Sequence, residues 1–207
     1  MTVEDYRKNK DTAIYAERFK SEYPQHFEFI NELQHKYYKE DSKEVTMGVT
    51  YDIYRNLSRL ILNKRPKHII EYGSGFTTAY IERVIEELDY KPTFVSYEHI
   101  PYYFDKAKEM GLDPHNCMEL VDMTIEDRDG FYYCTYIHDL EKHRDVDLVF
   151  IDGPGIVVVD EVRKQNINLN LELLVNEFDK KINYLIDGRH NTQVYYRELY
   201  TNKFGQK

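Results

Sequence analysis

The sequence predicts an α/β protein: a doubly wound, mostly parallel sheet with an N-terminal helical arm. Three observations predict it. Short apolar segments rich in β-branched and aromatic residues recur along the chain after residue 67, and segments with helical spacing of apolar residues separate them. A glycine-bracketed turn, Gly73-Ser74-Gly75, follows the first apolar segment and leads directly into a helical pattern. Strands that alternate with helices need crossover connections, and crossovers make a parallel sheet with helices against it.

Each element has its own warrant. From about Val3 to Lys43 the chain is charged and aromatic with helical spacing, at Tyr6, Ile14, Tyr15 and Phe19, then Phe27, Phe29, Ile30 and Leu33, and Pro24 divides it into two pieces. Residues 1–45 are therefore expected as a helical arm or cap, and residues 46–207 as the α/β domain. Tyr51–Asn63 carries Ile53, Tyr54, Leu57, Leu60 and Ile61 on one helical face. Arg65-Pro66 ends it, because a residue before proline is pushed out of helical geometry. His68–Tyr72 is a strand and Thr77–Leu88 a helix; Thr93–Tyr97 is a strand and Pro101–Met110 a helix with proline in its first turn. Cys117–Val121 is a strand, and Phe131–Ile137 is either an extra strand or an ordered loop. Val146–Ile151 reads as a buried strand, Asp160–Phe178 as a helix with Val162, Ile167, Leu171, Leu174 and Phe178 inward, Ile182–Ile186 as a strand and Thr192–Tyr200 as a helix.

Bulk properties narrow the function. A chain of 207 residues buries a substantial core without staples, and no apolar run is long enough to span a bilayer. A net charge of −9 argues against nucleic acid as partner, since phosphate neutralisation needs a concentrated basic surface. The polar start MTVEDYRKNK lacks the apolar region of a secretory signal, and Cys117 and Cys134 have neither metal-ligand spacing nor the number of a disulfide framework. A cytoplasmic protein is expected, without membrane partner, and a homodimer is one admissible state. Twenty tyrosines and no tryptophan are unusual, but a bias spread along the whole chain decides nothing.

In a doubly wound sheet, ligands bind at the carboxyl ends of strands where strand order reverses. Glu71-Tyr72-Gly73-Ser74-Gly75-Phe76-Thr77 occupies that place after the first strand. A dinucleotide fits it poorly. The third glycine of a dinucleotide turn falls on Thr78, and Glu71 sets negative charge beside a diphosphate. An ammonium group suits Glu71 better. The second strand ends at Glu98, 23 residues beyond Gly75, where a carboxylate accepts both hydroxyls of a ribose. An adenosine that carries an amino acid accounts for both carboxylates.

Glu71–Thr78 (EYGSGFTT), Val95–His99 (VSYEH) and Asp147–Pro154 (DLVFIDGP) together resemble class I S-adenosylmethionine-dependent methyltransferases, with the closest likeness to members acting on sugars or other small hydroxylated molecules. The resemblance spans roughly Thr46 to Asn191. It implies S-adenosylmethionine as cofactor, with Glu71, Gly73, Ser74 and Gly75 around its methionine half and Thr77 also among the cofactor-binding residues. It further implies Glu98 on the ribose, His99 beside the adenine, Asp122 and Met123 at the adenine edge, Asp152 near the emerging methyl group, and Thr46 and Thr50 toward the carboxylate. Two departures stand out: Phe76 where a third glycine is common, and a short tail after Asp187 in place of a closing antiparallel hairpin.

A hydroxyl acceptor needs a base or a metal to become a nucleophile. Asp152 or His190 is expected as the base, Arg189 as the residue orienting the acceptor, and Asp152 with Asp187 as a pair able to hold Mg²⁺ through oxygen ligands. Tyr132, Tyr133 and Tyr136 are equally suited to walling an acceptor pocket and to packing. His138 and His143, in a polar loop, are expected to be solvated. The reading is thus an O-methyltransferase for a glycan or small-molecule acceptor. The alternatives are a nicotinamide-dependent oxidoreductase and a non-catalytic binding module on the same fold.

Overall fold

A computed structural model describes residues 10–37, 50–128, 130–155, 157–159, 162–164 and 166–205. The expectations at Tyr6 and Thr46 lie outside the described residues. The chain forms two compact units, each assembled from separated stretches: 1–65, 75–91 and 106–115 in one, and 66–74, 92–105 and 116–207 in the other. Among the described residues, no helix is long and apolar enough to cross a membrane.

The first unit is helical. Its helices are α1 (Lys10–Glu22), α2 (Pro24–Tyr37), α3 (Tyr51–Lys64) and α4 (Phe76–Ile85). Phe19 lies at their centre, with ring centroids 5.8 Å from Phe27, 6.1 Å from Tyr80 and 6.4 Å from Tyr54. Burying these rings is the main driving force for this packing. Polar tips inside it find partners: His26 Nδ1 lies 2.9 Å from Ser58 Oγ, which also bonds the Tyr80 hydroxyl, and His26 Nε2 lies 2.9 Å from Glu87. Arg65 ends α3 in the left-handed region (φ 52°), just before Pro66.

The second unit carries the sheet. Strands β1 (His68–Tyr72), β2 (Thr93–Glu98), β3 (Met118–Leu120), β6 (Leu148–Ile151) and β10 (Asn183–Ile186) pair in the order β10-β6-β1-β2-β3, every pair parallel. This is the expected Rossmann-like α/β fold. Chain order runs outward from β1 to β3 and then returns to β6 on the other side of β1, so strand order reverses between β1 and β6. Alternate residues Ile70, Tyr72, Val95, Tyr97, Val149 and Ile151 share one buried cluster with Leu171, Leu174 and Val175 of α6 (Asn170–Glu177) and Tyr196 and Tyr200 of α7 (His190–Phe204). Asp147 fixes the start of β1 by accepting from the Lys67 and His68 amides at 2.9 and 3.1 Å. Helix α5 (Pro101–Glu109) follows β2.

One open expectation is decided and two are corrected. Phe131–Tyr136 is a strand (β5), antiparallel to β4 (Met123–Arg128) and parallel to β9 (Asn166–Asn168), in a separate three-stranded sheet. The predicted helix Asp160–Phe178 is extended in its first half: β7 (Val157–Val159) pairs with β8 (Val162–Lys164), β9 comes next, and only Asn170–Glu177 is helical. Valine-rich sequence disfavours helix there, and two asparagines clamp the stretch between β9 and α6. Asn168 Nδ2 donates to the Gly153 carbonyl at 3.1 Å, while Asn170 accepts from the Tyr136 amide at 2.9 Å and donates to its carbonyl at 2.8 Å. Lastly, His143 is buried and His138 half-buried. His138 stacks on Tyr97 with centroids 4.4 Å apart and lies 2.8 Å from the Tyr72 hydroxyl; His143 bridges the Tyr97 hydroxyl at 2.7 Å and His68 at 3.0 Å. Burial holds all three imidazoles below their ordinary range, His143 down to about 3.

Candidate active site

The carboxyl ends of β1, β2, β6 and β10 bring together Glu71, Glu98, Asp152 and Asp187, one acidic residue from each strand or its first succeeding residues. Hydrogen bonding across the sheet sets this register. The Gly73 amide donates to the Tyr97 carbonyl at 2.8 Å, the Asp152 amide to the Tyr72 carbonyl at 2.9 Å, and the Asp187 amide to the Ile151 carbonyl at 3.0 Å. The strand ends are therefore level, and the residues just past each strand project from one edge.

Two glycines let the backbones meet at the reversal. Gly73 has φ +91°, and a side chain on it would reach within 2.5 Å of the Gly153 nitrogen. A side chain on Gly153 would lie 2.8 Å from the Gly73 Cα and would collide with the Tyr136 hydroxyl. Only glycine combines this backbone conformation with this closeness. Asn168 holds Gly153 from the other side through its carbonyl.

The four carboxyl groups differ in environment. Glu71 is fully buried and accepts from Ser96 Oγ at 2.6 Å. Glu98 is buried too, and accepts from the His99 and Ile100 amides at 2.8 and 2.9 Å and from the Ser74 amide and hydroxyl at 3.3 Å each. Burial pushes its pKa up, but the His99 side chain and these amides outweigh burial and hold it below the usual range. Glu98 is thus ionised and also starts the turn into α5, a structural duty beside any ligand role. Asp152 is only 16% exposed, and Arg189 Nη2 donates to it at 3.4 Å. Burial pushes Asp152 well above the ordinary carboxylate range; Arg189 pulls it down, and Asp187, Glu71 and Glu98 push it up. Asp187 is raised by burial as well, against Arg189 and a hydrogen bond with Asp152. Burial thus disfavours charge on both carboxyl groups, while the Arg189 guanidinium favours it.

The remaining predicted residues are placed as follows. Ser74 is half-buried on Glu98, and His99 packs edge-on against Tyr136, centroids 5.2 Å apart. The Val121 amide donates to the Glu98 carbonyl at 2.9 Å, which sets exposed Asp122 next in line; Met123 opens β4 and packs on Tyr132 and Cys134. His190 is exposed at the first residue of α7. Thr50, Gly75 and Thr77 belong to the helical unit. There Thr50 precedes α3, Thr77 is buried in the first turn of α4, and Thr78 Oγ1 accepts from the Gly75 amide at 3.0 Å. That bond explains why threonine stands at the third-glycine position: it caps the helix. After β10 the chain forms α7, and no strand follows Ile186 among the described residues.

Sequence reasoning left Tyr136 undecided. It is 1% exposed, its ring packs on Tyr72 and His99, and its hydroxyl reaches the Gly73–Gly153 contact. The hydroxyl has no hydrogen-bond partner among the described residues. The available signal was the alternation Tyr132, Cys134, Tyr136, which turns these three to one buried face of β5.

Chemically, the assembly is an acidic edge with one guanidinium, which attracts a cationic ligand and repels a diphosphate. No family model and no curated protein matches the chain. Among solved structures, it is similar to an SAH-bound methyltransferase of Podospora anserina, with 15% identity and a TM-score of 0.44 over 70% of this chain. The match spans 58% of that enzyme's length.

Proposed function

We propose that this chain is an S-adenosylmethionine-dependent methyltransferase that modifies a hydroxyl of a glycan or other small acceptor. One observation carries the reading: four acidic side chains lie at or just past the ends of adjacent parallel strands at the strand-order reversal, against the Arg189 guanidinium. A dinucleotide would bring more negative charge there, whereas an adenosyl amino acid brings an ammonium and a sulfonium. Bound S-adenosylmethionine supplies an electrophilic methyl group. In this reading Glu71 faces the cationic end, Glu98 exchanges its two long 3.3 Å bonds from Ser74 for ribose hydroxyls, and His99 lies beside the base. Asp122 and Met123 complete the expected binding set within the sheet unit. Asp152, whose raised pKa makes its ionised form a stronger base than an ordinary carboxylate, is suited in that form to accept the proton of an acceptor hydroxyl. Arg189 orients that acceptor, with His190 as the other candidate base.

The paired carboxyls of Asp152 and Asp187 also fit a divalent cation as two of its oxygen ligands, in competition with Arg189. Titration calorimetry with S-adenosylhomocysteine and NAD tests the cofactor: binding of the first without the second is expected, and the reverse would overturn the reading. Transfer of labelled methyl to a panel of sugars, phenols and amines, with and without EDTA, tests acceptor and metal. Methylation confined to amines would refute the oxygen assignment.

A further inference from the structure

We infer that Tyr136 is a cofactor-binding residue whose hydroxyl hydrogen-bonds an oxygen of the bound adenosyl group. This rests on the cofactor reading proposed for the site and adds a residue to it. Buried polar atoms in folded proteins nearly always have a partner, because an unmet one loses its hydration without return. The Tyr136 hydroxyl is buried without a partner among the described residues, although its backbone is held at both ends by Asn170. Packing alone does not call for an oxygen there. Phenylalanine would fill the same volume and leave nothing unsatisfied.

The position of the oxygen says what it is for. It lies against Gly153, where the backbones just past β1 and β6 meet, and the charges of Glu98, Arg189 and Asp152 all act on it. The ring leans on His99, the neighbour of Glu98. A ribose hydroxyl that donates to Glu98 keeps two lone pairs, and the Tyr136 hydroxyl is a donor suited to one of them. Burial also keeps the phenol protonated, so it stays a donor.

The test is Tyr136→Phe, read by S-adenosylhomocysteine titration and by thermal unfolding without ligand. The expected result is a Tm equal to or above wild type with affinity reduced about five- to tenfold, the scale of one hydrogen bond. Unchanged affinity would overturn the inference and leave the cofactor reading intact. A lowered Tm would place the hydroxyl's partner inside the protein and overturn it too. Failure of the wild-type protein to bind S-adenosylhomocysteine would overturn the cofactor reading, and this inference with it.

Discussion

The contact between Gly73 and Gly153 makes Gly153→Ala a demanding substitution in the sheet unit. The added methyl would meet three atoms: the Tyr136 hydroxyl, the Gly73 Cα at 2.8 Å and the Gly73 nitrogen at 2.9 Å. Only the first belongs to a side chain, and its ring is packed on Tyr72 and His99. The two backbone atoms cannot rotate away. Overpacking costs about 1–3 kcal/mol, and backbone obstruction puts this case near 3 kcal/mol. For a chain of this size each kcal/mol lowers Tm by about 2–4 °C, so a fall of roughly 6–12 °C is expected. Part of the cost is the hydroxyl, so Gly153→Ala should be about 1 kcal/mol less damaging in a Tyr136→Phe background, a coupling that a double-mutant cycle reads. Differential scanning calorimetry of the four proteins measures both quantities. A Gly153→Ala protein melting within about 1 °C of wild type would refute the close approach of the two strand ends.

Glu98→Ala should weaken S-adenosylhomocysteine binding by about 1–3 kcal/mol, the scale of hydrogen bonds to a charged group, and unchanged affinity by calorimetry would remove Glu98 from the ribose role. The imidazoles of His68, His138 and His143 titrate lower in the folded state than in the unfolded chain, so their contribution is fully present above about pH 6.5 and is lost as pH falls toward about 3. His143 alone should remove roughly 2–3 kcal/mol by about pH 4.5, at about 1.4 kcal/mol per pKa unit, and His143→Asn should flatten the acid limb of stability measured by urea unfolding. Asp152 has the opposite sign: raised in the folded state, it contributes most below its ordinary range, and that contribution is lost as pH rises through the raised value. Asp187→Asn removes one of the charges raising Asp152, so the acid limb of methyl transfer should move to lower pH; an unmoved profile would separate the two carboxyls.

The parallel sheet was legible because its strands are nearly continuous apolar runs, and a run such as Leu148–Ile151, buried at every residue, needs no periodicity to be seen. The glycine turn and the strand-end acids were legible for a related reason: they come immediately after those runs. Two other things were hidden. The stretch after Pro154 matched a helical template from Leu171 onward, and the template was extended backward across Val162 and Ile167. The contrary sign, asparagine at every second position from Asn166 to Asn170, is a strand period, but its meaning depends on the Gly153 and Tyr136 backbones that those amides bind. Likewise His138 and His143 sit among charged neighbours in sequence and among Tyr72, Tyr97 and His68 in space. Local polarity misplaced them.

The chain crosses between its two units at residues 65/66, 74/75, 91/92, 105/106 and 115/116. Neither unit can therefore be cut out as one continuous fragment. Trimming the chain at residue 45 would strip Phe19 from the rings of Tyr54 and Tyr80, while leaving α4 attached on both sides to strands of the sheet. Such a fragment would keep every acidic strand end and yet expose the aromatic rings of Tyr54 and Tyr80, which favours aggregation.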